Sequence, residues 1–351
     1  MSVAEANPNS KIWKNKADLE PTDPGPLAPT YTHVPRFAPG SKEGMAYLDE
    51  HGYVVIANAL NADESRHALD LTWDYLEQLG TGIDRHDPAT WDDDRWPTAV
   101  HGGILPGHGI GHCAAQWFIR GVPNVKKSFA AIWDTDDLLV SFDGMALWRP
   151  WAIEPKWKTN RGGSWLHIDQ HPIGRPGKQC VQGLVNLIAT SPSTGGNVLI
   201  PGSHKKFATI SDVYPERLGR VPVGVDHFRF PSDDPMLAGT PPIMCAMEAG
   251  DILLWDSRTI HCSSPGVEAP DAKAELMSAV SLICFMPRAM SNEKVIAQRR
   301  RAVDGVVSTT NWSDVFVNAD KFPQITQAPN IERYRRPPVP VLTDYQRALV
   351  G

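Results

Sequence analysis

The apolar positions change period along the chain. Met45, Tyr47 and Leu48 recur at helical spacing behind Ser41, which can cap a helix start, and Gly52 supplies the stop. The run Tyr53-Val54-Val55-Ile56 then reads as a strand. Asn61-Ala62-Asp63-Glu64 opens a second helix in which Ala68, Leu69, Leu71, Thr72, Tyr75, Leu76 and Leu79 keep amphipathic register as far as Gly80. From 81 to 121 the periodicity stops and Gly, Pro, Asp, His and Trp dominate, which predicts a long loop that helps to enclose a site. After a helix over 123–133, short aliphatic and β-branched runs follow to about residue 287, among them 138–142, 181–189, 197–200, 251–255 and 277–285. Many short strands in succession predict a mainly β barrel or jelly roll with flanking helices.

The two ends differ from this middle. Residues 1–40 carry Pro21-Thr22-Asp23-Pro24-Gly25-Pro26 and predict an arm without regular structure of any length, one that either drapes over the domain or remains loose and could support a homodimer. Residues 41–290 form the expected domain, and 291–351 a helical and irregular extension in which Arg299-Arg300-Arg301 would lie on an exposed helix face and the tail after Arg336-Pro337-Pro338 is again irregular.

Composition narrows the function. With 351 residues and 42% hydrophobic content the chain can bury one large core or two modest ones, and a formal charge of -6 with scattered Lys and Arg gives no surface suited to a phosphate backbone, so nucleic acid is not expected as a partner. Five cysteines without a CxxC pair argue for reduced thiols and against structural zinc. Met1-Ser2-Val3-Ala4-Glu5 lacks the basic-then-apolar order of an export signal, and no apolar run approaches the ~18 residues that cross a bilayer. A soluble, cytoplasmic protein with no membrane partner is the expectation.

The chemistry concentrates at Trp165-Leu166-His167-Ile168-Asp169-Gln170. Residues two apart on a strand share a face, so His167 and Asp169 can chelate one ion. His261, near the end of Gly250-Asp251 to His261, would complete two histidines and one carboxylate, a set that leaves coordination positions open and suits non-haem iron(II) better than closed zinc.

Together with His51-Gly52-Tyr53-Val54-Val55-Ile56 and the turn Pro201-Gly202-Ser203-His204, these pieces over roughly 45–290 make the chain similar to the phytanoyl-CoA dioxygenase-like family of iron(II)/2-oxoglutarate oxygenases. The resemblance implies a double-stranded β-helix, a cupin-like jelly roll. It also implies Fe(II) held by His167, Asp169 and His261, 2-oxoglutarate as co-substrate and O2 as oxidant. The reaction implied is hydroxylation, desaturation or cyclisation of a small-molecule metabolite, such as one of secondary metabolism, with release of succinate and CO2. Asp at 169 distinguishes the chain from halogenases, where a small residue makes room for chloride.

The resemblance also leads one to expect an Arg for the distal carboxylate of 2-oxoglutarate, shortly after the second His at the start of the next inward strand, and that span has none. Arg288, Arg258 and Lys273 are the candidates, in that order, with Arg258 equally able to pair with Asp256 beside the ligand strand. Gln182 and Asn186 share a strand face with Leu184 and are candidates for co-substrate hydrogen bonds if that face looks into the barrel. His204 belongs to a turn rather than to the ligand set. His101, His108 and His112 are either solvated loop residues or groups for substrate contact or acid-base assistance. The Trp-rich stretches read as packing, with Trp165 the one placed to meet substrate. Arg149, Lys158 and Arg161 make the approach to the ligand strand basic and hint at an anionic group on the substrate. Two other readings keep the barrel: a cupin-like metal or small-molecule binding protein without turnover, which the missing Arg favours, and a non-oxidative metalloenzyme such as an isomerase.

Overall fold

The computed structural model describes residues 27–101, 103–158, 165–221, 226–268, 270–271, 273–328 and 331–351. In chain order the strands are β1 Thr30–Thr32, β2 Arg36–Phe37, β3 Tyr53–Ile56, β4 Ile104–Leu105, β5 Leu138–Val140, β6 Met145–Trp148 and β7 His167–Asp169. They continue with β8 Val181–Asn186, β9 Gly196–Leu199, β10 His227–Arg229, β11 Ile243–Cys245, β12 Ile252–Asp256, β13 His261–Ser264 and β14 Ser278–Pro287. The principal helices are α1 Lys42–His51, α2 Ala62–Gln78, α3 Ala114–Gly121, α4 Pro123–Trp133, α5 Glu293–Asp304 and α6 Asp344–Val350.

The strands form a six-stranded sheet, β1-β11-β9-β13-β7-β10, and an eight-stranded sheet, β2-β3-β12-β8-β14-β6-β4 with β5 also on β14. This is the double-stranded β-helix. Alternation along each strand sets what lies between the sheets and what lies outside. Leu184, Leu253, Trp255 and Val280 of the larger sheet meet Leu199 and Cys245 of the smaller one in the interior. Val181, Val185, Ile252 and Leu254 point the other way, onto a layer that includes Leu76, Trp117 and Phe129 of α2, α3 and α4. The outer face of the smaller sheet, with Leu166, Ile168, Val198 and Ile260, is covered by Phe207, Ile210 and Leu218.

The helix starts are built as the sequence suggests. Ser41 accepts from Gly44 N, and Asn61 and Glu64 form a reciprocal capping box on α2. Gly52, at φ 78°, ends α1, and a Cβ there would lie 2.4 Å from His204 Nδ1 and 2.5 Å from Thr259 Oγ1. His204 Nε2 meets Asp49 O at 3.0 Å, Gly202 N donates to His51 O, and Ile260 N donates to Ser203 Oγ at 2.8 Å. The Pro201–His204 turn therefore clamps the end of α1 to the strand that carries His261.

Four expectations are corrected. The 81–121 loop ends in helix α3, whose apolar side packs under the larger sheet. The arm through residue 40 pairs in parallel with both sheets where it is described, β1 with β11 and β2 with β3, while residues 1–26 lie outside the described residues. Arg299 is not on an exposed face: it is 1% exposed and donates to the carbonyls of Val140, Ser313, Leu349 and Val350. The tail regains order in α6, with its own capping box at Thr343 and Gln346, because two of those four carbonyls belong to it.

Candidate metal centre

The antiparallel register sets His261 of β13 directly opposite His167 of β7, and Asp169 follows two residues along on the same face. His167 Nε2 and His261 Nε2 approach the same carboxylate oxygen, Asp169 Oδ2, at 3.5 and 3.4 Å. In each histidine Nδ1 lies 2.9 Å from the backbone carbonyl two residues earlier, Trp165 O for His167 and Thr259 O for His261. A carbonyl can only accept, so Nδ1 carries a proton and Nε2 is the nitrogen left to serve as a ligand. Burial pulls the His167 imidazole below its ordinary pKa against the attraction of Asp169. Burial opposes ionisation of Asp169 as well, yet the imidazoles of His167, His227 and His261 hold its carboxyl well below the usual value. An ionised carboxylate with two imidazole Nε2 atoms turned to one of its oxygens is a donor set that fits iron(II).

A third histidine was not found by sequence reasoning. His227 of β10 pairs with Asp169 across the strands, its Nδ1 lies 3.4 Å from Oδ1, and His167, Asp169 and His227 can each bring a ligand atom within 4.8 Å of the others. His261 and His227 thus approach the carboxylate by different oxygens. The signal that could have found His227 is the alternation His227-Phe228-Arg229-Phe230, too short to stand out beside the irregular stretch around it.

These side chains line a cavity of about 360 Å³ between the sheets. Gln182 and Asn186 do face it. Gln182 Nε2 donates to Asp169 Oδ2 at 3.2 Å, and Asn186 Nδ2 to Thr190 Oγ1 at 2.9 Å. Behind the ligand strand, Gln170 is fully buried, accepts from Ser257 Oγ and donates to Arg175 O and Gly177 O, which ties the two ligand-bearing segments together. Trp165 is stacked between His101 and His167, with centroid separations of 4.0 and 4.8 Å, and its Nε1 donates to Ser263 O at 2.8 Å. His101 sits at φ 46°, a left-handed backbone that a histidine rarely adopts.

The arginine candidates are turned elsewhere. Arg258 grips Asp256 through Nε at 2.8 Å and a second nitrogen at 2.6 Å. Arg288 pairs with Asp137 at 2.8 Å and donates to Ala348 O. Lys273 lies near Asp271 with its side chain 70% exposed. None of the three lines the cavity. Arg149 is likewise committed, to Trp91 O and Asp93, between the rings of Trp96 and Trp157, and Lys158 lies 4.2 Å over Trp151. Arg161 lies outside the described residues.

Among the described residues, the carboxylates Asp143 and Asp226 reach the wall beside Asp169. Asp143, whose Oδ1 accepts from Gly144 N at 2.8 Å, is pushed up to about 7 by burial, against the pull of Arg120. Asp226 is also raised by burial, although Arg175 stands 3.4 Å away. Arg175 in turn reaches Asp314 and stacks 3.6 Å over Trp312. One wall comes from the C-terminal extension: Thr309, Asn311, Trp312, Val317 and Phe322 all face the cavity. The 81–121 loop supplies Val100, His101, Ile104 and Pro106 opposite. His108 and His112 of that loop do not reach it; they are buried against Tyr334 and Phe142.

Comparison with known proteins agrees in kind. The chain is 29% identical to Ava biosynthesis cluster protein O of Aspergillus versicolor over 74% of its own length and 82% of the relative. It is 24% identical to ectoine dioxygenase of Stutzerimonas stutzeri over 68% and 76%. Among solved structures it resembles EctD from S. alaskensis, crystallised with 2-oxoglutarate and 5-hydroxyectoine, at 16% identity and TM-score 0.47 over 76% of this chain and 82% of that one. The phytanoyl-CoA dioxygenase pattern matches residues 48–267, more than half of the chain, and the protein is therefore a member of the phytanoyl-CoA dioxygenase family.

Proposed function

We propose that the protein is an iron(II)/2-oxoglutarate oxygenase in which His167, Asp169 and His261 hold the metal and His227 steadies the second carboxylate oxygen. The observation that carries this reading is the matched pair of histidines, each with Nδ1 fixed on a backbone carbonyl and Nε2 aimed at one oxygen of Asp169. Bound iron would supply the activation of oxygen, with the 2-oxo acid as reductant and succinate and CO2 as its products.

The chain's own part is positioning and exclusion of water. Gln182 holds Asp169 Oδ2 in place, the His101-Trp165 stack braces His167, and the wall from Thr309 to Phe322 covers the open side. Among the described residues, substrate meets a largely apolar surface with Asp143 and Asp226 as its charged groups beyond Asp169. We therefore read the substrate as a small metabolite presenting hydroxyl or amine donors rather than an anion. The relative from a biosynthesis cluster supports a role in secondary metabolism. The five free cysteines suit a reducing, cytoplasm-like compartment, and among the described residues no helix is long and apolar enough to cross a membrane.

The test is succinate release from iron-loaded protein given 2-oxoglutarate and oxygen across a panel of amino- and hydroxy-bearing metabolites. Succinate that rises with one substrate class supports the oxygenase. Iron binding without succinate from any member would favour a cupin-like binding protein or a non-oxidative metalloenzyme.

A further inference from the structure

The tail of a five-carbon 2-oxo diacid ends in a carboxylate that needs a seat inside the barrel, because an unpaired charge there costs several kcal/mol. The family resemblance places an arginine where the next inward strand begins. In this chain that strand is β14, and its first residue is Ser278. Ser278, Val280 and Leu282 face the cavity, so the position is inward, 7% exposed, and it carries a hydroxyl. The arginine at the other end cannot substitute. Arg288 follows the 10 residues of β14, and at ~3.3 Å per residue that is about 30 Å from Ser278.

Away from Asp143, Asp169 and Asp226, the described polar groups of the wall are neutral. No Lys or Arg lines it among the described residues, whereas Asn186, Thr190, Asn197, Ser263 and Ser278 do. Several of these groups have bonding capacity to spare. Asn186 commits one N–H to Thr190 and has another. Asn197 also faces the cavity, and its amide nitrogen carries two N–H groups that can donate. Register places Ser263 opposite Asn197, two residues beyond His261, and Asn186 opposite Val280, two residues beyond Ser278.

Resting on the oxygenase reading above, we infer that the tail carboxylate of the 2-oxo acid is seated by neutral donors, Ser278 and Asn186 of the larger sheet with Asn197 and Ser263 of the smaller, and not by a guanidinium. The site therefore grips the metal-chelating end of the co-substrate more firmly than its tail. It should separate 2-oxoglutarate from a tail-neutral 2-oxo acid by far less than a charge-paired seat would.

The experiment is an anaerobic titration of the iron(II)-loaded full chain with 2-oxoglutarate and with 2-oxopentanoate, which has the same carbon chain and a methyl terminus. The readout is the weak visible charge-transfer band of the chelated 2-oxo acid, and melting curves verify that each variant is folded. A hydrogen bond to a charged group is worth ~10-fold or somewhat more in affinity. Ser278→Ala and Asn186→Ala should each weaken 2-oxoglutarate about 10-fold and leave 2-oxopentanoate within about 2-fold, while Arg258→Ala and Arg288→Ala change neither. If Arg161→Ala removes the preference for 2-oxoglutarate, or if that preference survives intact in both the Ser278 and Asn186 variants, the neutral seat is wrong. Iron binding with no band from either acid is a different result: it overturns the oxygenase reading itself, and the seat with it.

Discussion

Two sets of buried histidines show how one side chain takes two roles. His167 and His261 stand on neighbouring strands with Nδ1 fixed by backbone carbonyls and Nε2 directed at a carboxylate beside a cavity. His108 and His112 come from the 81–121 loop and are as deeply buried, yet His108 Nε2 and His112 Nδ1 have no partner among the described residues, and their rings pack on Tyr334, Trp117 and Phe142. Burial is common to both sets; the carboxylate and the open space beside it are not. A buried histidine becomes a ligand candidate when its lone pair has both an anionic neighbour and room for a cation, and otherwise it is a core residue that carries the cost of an unmade hydrogen bond.

The contrast can be broken most strongly at the strand pair. His261→Ala should lower iron(II) affinity by more than the ~10–100-fold that loss of a supporting partner costs, with little change in the melting temperature of the apo-protein; calorimetric iron titration measures it. His112→Ala should do the reverse, costing ~2–3 kcal/mol of stability through a core cavity and the orphaned carbonyl of Val307, with iron affinity unchanged. Next come the partners of Asp169. Gln182→Leu and His227→Ala should each weaken iron about 10-fold, less than His261→Ala does. If His227→Ala abolishes binding and His261→Ala does not, the ligand set is His167, Asp169 and His227.

The pH dependence sharpens the comparison further. Burial, with Arg336 nearby, holds His108 at about 4, and burial with Arg120 holds His112 at about 3. Both lie below the ordinary 6.5, so on acidification the unfolded chain binds protons before the native one does. Their contribution to stability is whole above pH 6.5, declines as the pH falls and is gone once it passes about 4 and 3. In thermal melts of apo-protein, His108→Gln should therefore show a shallower fall than the parent between pH 6.5 and 4. The smallest effect is expected at His101, where removing the ring from the Trp165 stack should change iron affinity about 2-fold, the ~0.5 kcal/mol low end of what an aromatic pair contributes.

What could be read in the sequence is what depends on neighbours along the chain. Caps at Ser41 and Asn61, the alternation through Gln182, Leu184 and Asn186, and the shared face of His167 and Asp169 are all set within a few residues. What could not be read depends on partners far away. His227 matters because β10 pairs with β7, and Arg299 is buried because carbonyls from residues 140, 313, 349 and 350 converge on it. A basic run in a helix carries no mark of that convergence. The missing arginine was visible as an absence, but the replacements named for it were chosen by closeness in sequence, and the backbone turns both Arg258 and Arg288 away from the cavity.

The wall built by residues 309–322 has a consequence in the order of synthesis. A growing chain has exposed all its proposed ligands once His261 has emerged, while Thr309, Trp312 and Phe322 are still to come. Arg299 finds its last acceptors only when Leu349 and Val350 arrive. The proposed ligands are thus outside the ribosome before the segment that completes the cavity wall has been released.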